Sequence, residues 1–267
     1  MTTSTPSSLG IALVTGASTG IGAIYADRLA KRGYDLIVVA RNQKRLAALA
    51  DRLATESGRT VRTLGADLGK REDLLAVENL LRTEPRITLL VNNAGVGAAS
   101  PLLDSDIGKM EEMIALNVNA LTRLTYAAAP AFAARGAGTI VNIASIVALA
   151  PELLNGVYGA TKAYVLALTQ SLQHELAAKG LRFQAVLPGA IATEFWDVAG
   201  MPVSNLPQGM VMTAADLVDA ALAGLDAGEV YTVPSLPDGE YEKHEAARVA
   251  LGPNLSKVKP AARYGTF

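Results

Sequence analysis

Cysteine is absent from the 267 residues, which excludes disulfides, thiolate metal sites and thiol catalysis and fits a reducing, cytoplasmic setting. Histidine is nearly as scarce. His174 and His244 lie far apart with no ligand pattern around either, so no metal is assigned. An excess of one charge is lacking too. With 24 basic and 25 acidic residues the net charge is -1, which gives no electrostatic basis for a nucleic-acid partner. No apolar run reaches the length of a bilayer span, so no membrane partner is expected. The segment 1–8 is rich in Ser and Thr and lacks a basic leader region, and it reads as a flexible arm.

What is present is an alternation of short apolar runs with longer helical patterns, the mark of a βαβ array. Strands are expected at 11–14, 36–39, 61–64, 87–91, 139–143, 183–187 and 230–233. Helices are expected near 21–32, around Leu46, Leu49 and Leu53, and near 71–83, 107–134, 157–178 and 214–226. The fold class is therefore α/β, a single Rossmann-type doubly wound sheet of seven parallel strands with helices on both faces. The domain is placed at 9–233, with a loop at 190–212 and a partly helical tail at 234–267 assigned to the same domain.

The first strand runs into Thr15-Gly-Ala-Ser-Thr-Gly-Ile-Gly22, so Gly16, Ser18, Thr19, Gly20, Ile21 and Gly22 fall in the first strand-to-helix turn. Glycines there permit a tight turn and close approach of backbone N–H groups to a pyrophosphate at the positive end of a helix. Arg41 follows the second strand, where an NAD-selective site would place Asp or Glu on the ribose 2′-hydroxyl. A guanidinium there suits a 2′-phosphate, so NADP(H) is favoured, with Arg45 one turn on. Asp67, after the third strand, is a candidate for the adenine amino group or for a helix cap.

Tyr158 and Lys162 are four apart on a helical segment and so share a face. A phenol with an ordinary pKa of about 10 is a poor acid at neutral pH, and a nearby ammonium favours its ionisation. With Asp67-Leu68, Asn92-Asn-Ala-Gly95, Asn117, Ser145 and Pro188-Gly189 in order, the chain resembles the short-chain dehydrogenase/reductase family, NADP(H)-preferring type, over residues 9–233. The resemblance implies strand order 3-2-1-4-5-6-7 and hydride transfer between a nicotinamide cofactor and an alcohol or carbonyl. It makes Tyr158 the general acid or base, Lys162 the ribose ligand that lowers the tyrosine's pKa, and Ser145 a donor to the substrate oxygen. Asn117 would hold a water that links Lys162 to solvent. Asn93 would stabilise the sheet, with Ala94 and Gly95 close to the cofactor and Leu68 among its binding residues. Beyond Pro188 and Gly189, Ile191 would meet the carboxamide and Thr193 the carboxamide or pyrophosphate. Thr19 stands where many NADP-preferring relatives carry Arg or Lys, which leaves NAD(H) open.

The loop 190–212 carries Phe195, Trp196 and Met201, adaptable apolar groups suited to a mobile lid over an apolar small-molecule substrate. Val147 and Leu153, between Ser145 and Tyr158, extend that candidate pocket. The expected function is an oxidoreductase, a ketone or aldehyde reductase using NADP(H) on a small, mostly apolar carbonyl/secondary alcohol pair. The alternatives are an NAD(H)-dependent alcohol dehydrogenase and a non-catalytic dinucleotide-binding regulator. Assembly through the two long helices as a homodimer or homotetramer is what the resemblance implies.

Overall fold

A computed structural model describes residues 7–265, in two compact units that divide between Pro234 and Ser235. In the first unit, seven strands form one parallel sheet: β1 (Ile11–Thr15), β2 (Asp35–Ala40), β3 (Val61–Gly65), β4 (Ile87–Asn92), β5 (Gly138–Ile143), β6 (Leu181–Val186) and, after two short strands given below, β9 (Tyr231–Thr232). Their order is β3-β2-β1-β4-β5-β6-β9, which is the 3-2-1-4-5-6-7 order implied by the resemblance. The chain reverses direction across the sheet between β1 and β4, and open α/β sheets bind ligands at the strand ends above such a switch point.

Successive side chains of a strand point to opposite faces, and this divides the core. Ala12, Val14, Leu36 and Val38 face one way, packed with α1 (Gly20–Lys31), α2 (Gln43–Ser57) and α8 (Ala214–Ala227). Ile11, Leu13, Ile37 and Val39 face the other, packed with α3 (Arg71–Thr83), α5 (Leu121–Ala134) and α6 (Gly156–Leu176). Because both faces are covered, β1 and β2 carry unbroken apolar runs, Ile11 to Val14 and Leu36 to Ala40, rather than alternating ones.

Three features depart from the sequence reading. The single helix expected over 107–134 is α4 (Ile107–Ile114) and α5 joined by a π-helical stretch, Ala115–Ala120, which contains Asn117. The loop at 190–212 is bracketed by two short parallel strands, β7 (Ala190–Ile191) and β8 (Val211–Met212), and carries α7 (Phe195–Val198). Most of the arm read at 1–8 lies outside the described residues, but Ser7 is fastened to the sheet. Its N–H donates to Asp35 Oδ2 at 3.0 Å and its hydroxyl to the Gly33 carbonyl at 2.6 Å. The second unit, 235–267, holds one longer helix, α9 (Glu240–Leu251).

Candidate active site

The turn after β1 is shaped by contacts that leave no room for side chains. Gly16 and Gly20 take positive φ, 65° and 54°, which favours glycine. A Cβ on Gly22 would lie 2.4 Å from the Gly16 carbonyl oxygen and 2.5 Å from Asn93 Nδ2. Asn93 is the reason the turn is so tight. Its amide donates to the carbonyls of Thr15 at 2.9 Å and Gly16 at 3.2 Å, so the loop after β4 grips the loop after β1. Thr15 returns the grip, its hydroxyl accepting from the N–H groups of Asn93 and Ala94.

Thr19 is the N-cap of α1, yet its side chain makes no capping hydrogen bond, and no acidic residue occupies the first turn. Backbone donors at the positive end of α1 thus face the turn without a carboxylate competing for them, and Ser18 and Ile21 are partly buried beside them. Thr193 packs on this turn from the far side, where a Cβ on Gly20 would fall 3.1 Å from its methyl.

The turn after β2 separates two cations that the sequence reading grouped. Asn42 caps α2 by accepting from the Arg45 N–H at 3.0 Å. Arg45 is committed to Glu194 in an ion pair of 2.8 Å, and both side chains are substantially exposed. Arg41 is exposed and makes no hydrogen bond or ion pair among the described residues. Asp67 does not cap α3, whose N-cap is Lys70. Its Oδ1 accepts from the Gly69 N–H at 3.1 Å in a local turn, and Leu68 beside it is buried in the core.

Ser145, Tyr158 and Lys162 converge at the end of β5. Tyr158 is buried, and that burial pushes its phenol up to about 12, with its side-chain interaction with Ser145 pulling the other way. The phenol therefore stays protonated through the neutral range. The Ser145 hydroxyl accepts from the Val147 N–H at 3.3 Å and donates to the Pro188 carbonyl at 3.4 Å, long bonds that a better partner can displace. Lys162 is buried as well. Its ammonium donates to the Ile143 carbonyl at 2.8 Å and lies 5.8 Å from the centre of the Tyr158 ring, and burial lowers its pKa to about 8.

Asn117 and Gly95 complete the floor. Asn117 accepts from the Val96 N–H at 3.0 Å and donates to the Val96 carbonyl at 2.8 Å and to Thr161 Oγ1 at 3.1 Å. Both amide hydrogens are thereby engaged, and Oδ1 keeps one of its two lone pairs. A Cβ on Gly95 would lie 3.0 Å from Asn117 Oδ1 and 3.7 Å from Lys162 Nζ, so the loop after β4 passes closely over both side chains. Gly189, with nothing nearer than a methyl of Ile146 at 3.8 Å from a built Cβ, is less crowded.

The family model described as short chain dehydrogenase matches residues 10–200, from the strand that feeds the glycine turn to the end of α7. This chain belongs to the short chain dehydrogenase family. It is an oxidoreductase. Among relatives, sulfoacetaldehyde reductase 2 of Chromohalobacter salexigens is 37% identical over 191 residues, covering 69% of this chain and 74% of its own length. A solved short-chain dehydrogenase from Sphingobium yanoikuyae, in complex with NADPH, is 47% identical with a TM-score of 0.92, covering 96% of this chain and 99% of its own. The bulky-bulky ketone specific alcohol dehydrogenase of Comamonas testosteroni is 42% identical with a TM-score of 0.88, covering 99% of this chain and 100% of its own.

Within this short chain dehydrogenase the candidate substrate residues do not all gather at Tyr158. Val147 and Phe195 do: Val147 packs in the same buried cluster, and the Phe195 ring is centred 5.7 Å from that of Tyr158. Trp196 stands behind Phe195, edge-on at 5.5 Å, its indole N–H donating to the Ile191 carbonyl at 2.9 Å. Met201 is half-buried outside the cluster, its N–H bonded to the Trp196 carbonyl. Leu153 is exposed, because the 3-10 turn Pro151–Leu153 swings it outward, and its neighbour Leu154 packs inward instead. Sequence reasoning missed Met110 and Met113 of α4, which do pack on Tyr158. Their i, i+3 spacing on one helix face was the available signal.

Proposed function

We propose that this oxidoreductase reduces ketones with apolar substituents, using NADPH. The observation that carries the reading is a buried, protonated Tyr158 set in an apolar cluster, with Ser145 on one side and the Lys162 ammonium on the other. NADPH in the Sphingobium yanoikuyae structure and the ketone specificity named for the Comamonas testosteroni enzyme support it.

The residues present fit a dinucleotide. The glycine turn offers uncapped backbone donors for a pyrophosphate, Arg41 offers an uncommitted guanidinium for a 2′-phosphate, and Lys162 is proposed for a ribose. Asp67 and Leu68 are proposed for the adenine end, with Ile191 and Thr193 at the nicotinamide and pyrophosphate. When bound, the reduced nicotinamide supplies the hydride that the carbonyl carbon accepts.

The chain's own part is to hold the substrate oxygen and protonate it. Ser145 releases its weak bond to the Pro188 carbonyl and donates to that oxygen instead. Tyr158 gives the same oxygen its proton as negative charge develops there. Lys162, charged below about pH 8, stabilises the phenolate left behind. Both Asn117 amide hydrogens are engaged, by the Val96 carbonyl and Thr161, while Oδ1 accepts from the Val96 N–H and keeps a second lone pair for the proposed water. The apolar walls from Val147, Phe195, Met110 and Met113 exclude water and favour substituents without charge. Assembly as a homodimer or homotetramer and a cytoplasmic location belong to the same reading. Exposed Tyr126 and Tyr164 on α5 and α6 support the assembly.

The test is a panel of aryl and branched alkyl ketones, aldehydes and diketones assayed with NADPH and NADH side by side. Faster turnover of the bulkier apolar ketones with NADPH is expected. A preference for NADH, or for charged or small polar carbonyls, would overturn it.

A further inference from the structure

The helix that carries Tyr158 starts at a residue with more than one duty. Asn155 is the N-cap of α6 and is only 4% exposed. Its Oδ1 accepts from the N–H groups of Val157 at 2.9 Å and of Tyr158 itself at 3.2 Å. Its Nδ2 turns the other way, donating to the Ser100 carbonyl at 2.7 Å and to Ser105 Oγ at 3.1 Å. Ser105 in turn donates to the carbonyls of Ser100 and Pro101, closing the 100–105 turn on itself.

That turn sits in the middle of a segment that lines the site at both ends. Val96 and Ala98 before it, and Met110 and Met113 after it, all pack in the cluster around Tyr158. A capping residue needs only one acceptor, and serine or aspartate supplies it as well as asparagine. An amide that both accepts and donates can instead hold a helix terminus and a second loop at once. The four hydrogen bonds use both ends of that amide.

We propose that Asn155 is a positioning residue that couples the backbone of Tyr158 to the 100–105 turn, so that one side chain sets both the proton donor and the substrate-facing wall. The inference rests on the function proposed above for Tyr158. Its two halves are separable because acceptor and donor lie on different atoms.

Asn155→Ala loses both halves, whereas Asn155→Asp keeps the cap and loses the donors. For ketone reduction with NADPH, Asn155→Ala is expected to lower kcat about ten-fold or more, as for a displaced proton donor, and to raise KM. Asn155→Asp is expected to recover most of kcat while KM stays elevated by about five-fold. Amide hydrogen exchange, followed without substrate, supplies a second readout. Exchange in 100–105 should rise in both variants, and exchange in 157–160 only in Asn155→Ala. Equal kcat in the two variants, or unchanged exchange in 100–105, would overturn the coupling. Should Asn155→Ala fail to fold, Asn155→Asp decides alone, since faster exchange in 100–105 with 157–160 still protected is required. If the unaltered protein reduces no ketone, the functional reading falls, and the exchange pattern still decides the coupling.

Discussion

The Lys162 ammonium is hydrogen-bonded to the carbonyl of Ile143, the last residue of β5, at 2.8 Å. The face of α6 that bears Tyr158 is thereby fastened to the C-terminal end of β5, an interior strand of the sheet. Burial makes that fastening costly, since a buried ammonium gives up its hydration for a single carbonyl.

Removing the cation should therefore trade activity for stability. The Lys162 pKa is lowered from 10.5 to about 8 on folding, so between those values the unfolded chain binds more protons than the folded one. Stability from this group rises with pH across that window and is lowest below pH 8, where the buried lysine is charged in both states. Lys162→Met is expected to raise the melting temperature at pH 7 by about 3 °C while abolishing most turnover. The gain should vanish by about pH 10.5, as thermal scans across pH would show.

Tyr158→Phe keeps the ring against Phe195 and Val147 and loses only the hydroxyl. NADPH binding, followed by fluorescence titration, should change little, and ketone turnover should fall about a thousand-fold. Wild-type turnover in this variant would remove the tyrosine from the mechanism.

The two arginines near the proposed 2′-phosphate position should behave differently. Arg41→Asp removes an uncommitted guanidinium and is expected to lower the NADPH/NADH ratio of kcat/KM by about a hundred-fold. Arg45→Ala breaks an exposed pair with Glu194 and should move the same ratio by about three-fold at most. Paired steady-state kinetics with both cofactors would compare them.

Gly22→Ala pushes a methyl to 2.4 Å from the Gly16 carbonyl, where only backbone can give way. A loss of about 2 kcal/mol, read as a melting temperature lower by about 5 °C, is expected together with weaker NADPH binding. Gly97→Ala meets Phe195 instead, with the built Cβ 2.2 Å from the ring tip. A side chain can turn where backbone cannot, so that variant should fold normally and shift ketone preference, as a substrate panel would reveal.

The parts legible in the sequence are those carried by short-range pattern. The apolar runs of β1 and β2 are continuous because both sheet faces are covered, and the glycine turn announces itself by composition. Tyr158 and Lys162 share a face because helical periodicity requires it. The rest depended on tertiary contacts that spacing cannot encode. Nothing around Asn117 marks a π-turn, since the same residues suit an α-helix. Arg45 reads in the sequence as an assistant to Arg41 or a surface residue, and its partner is a carboxylate 149 positions away. Leu153 and Leu154 are adjacent and equally apolar, and a single 3-10 turn decides which of them packs inward.

The pairing of Ala190 and Ile191 with Val211 and Met212 gives the intervening stretch entry and exit points side by side. Such an excursion behaves as an exchangeable cassette, because its ends are already closed before its contents are chosen. Doubling the length of a flexible loop costs only about 0.6 kcal/mol in closure entropy. Changes of length within 192–210 are therefore expected to leave the seven-stranded sheet and α6 as they are.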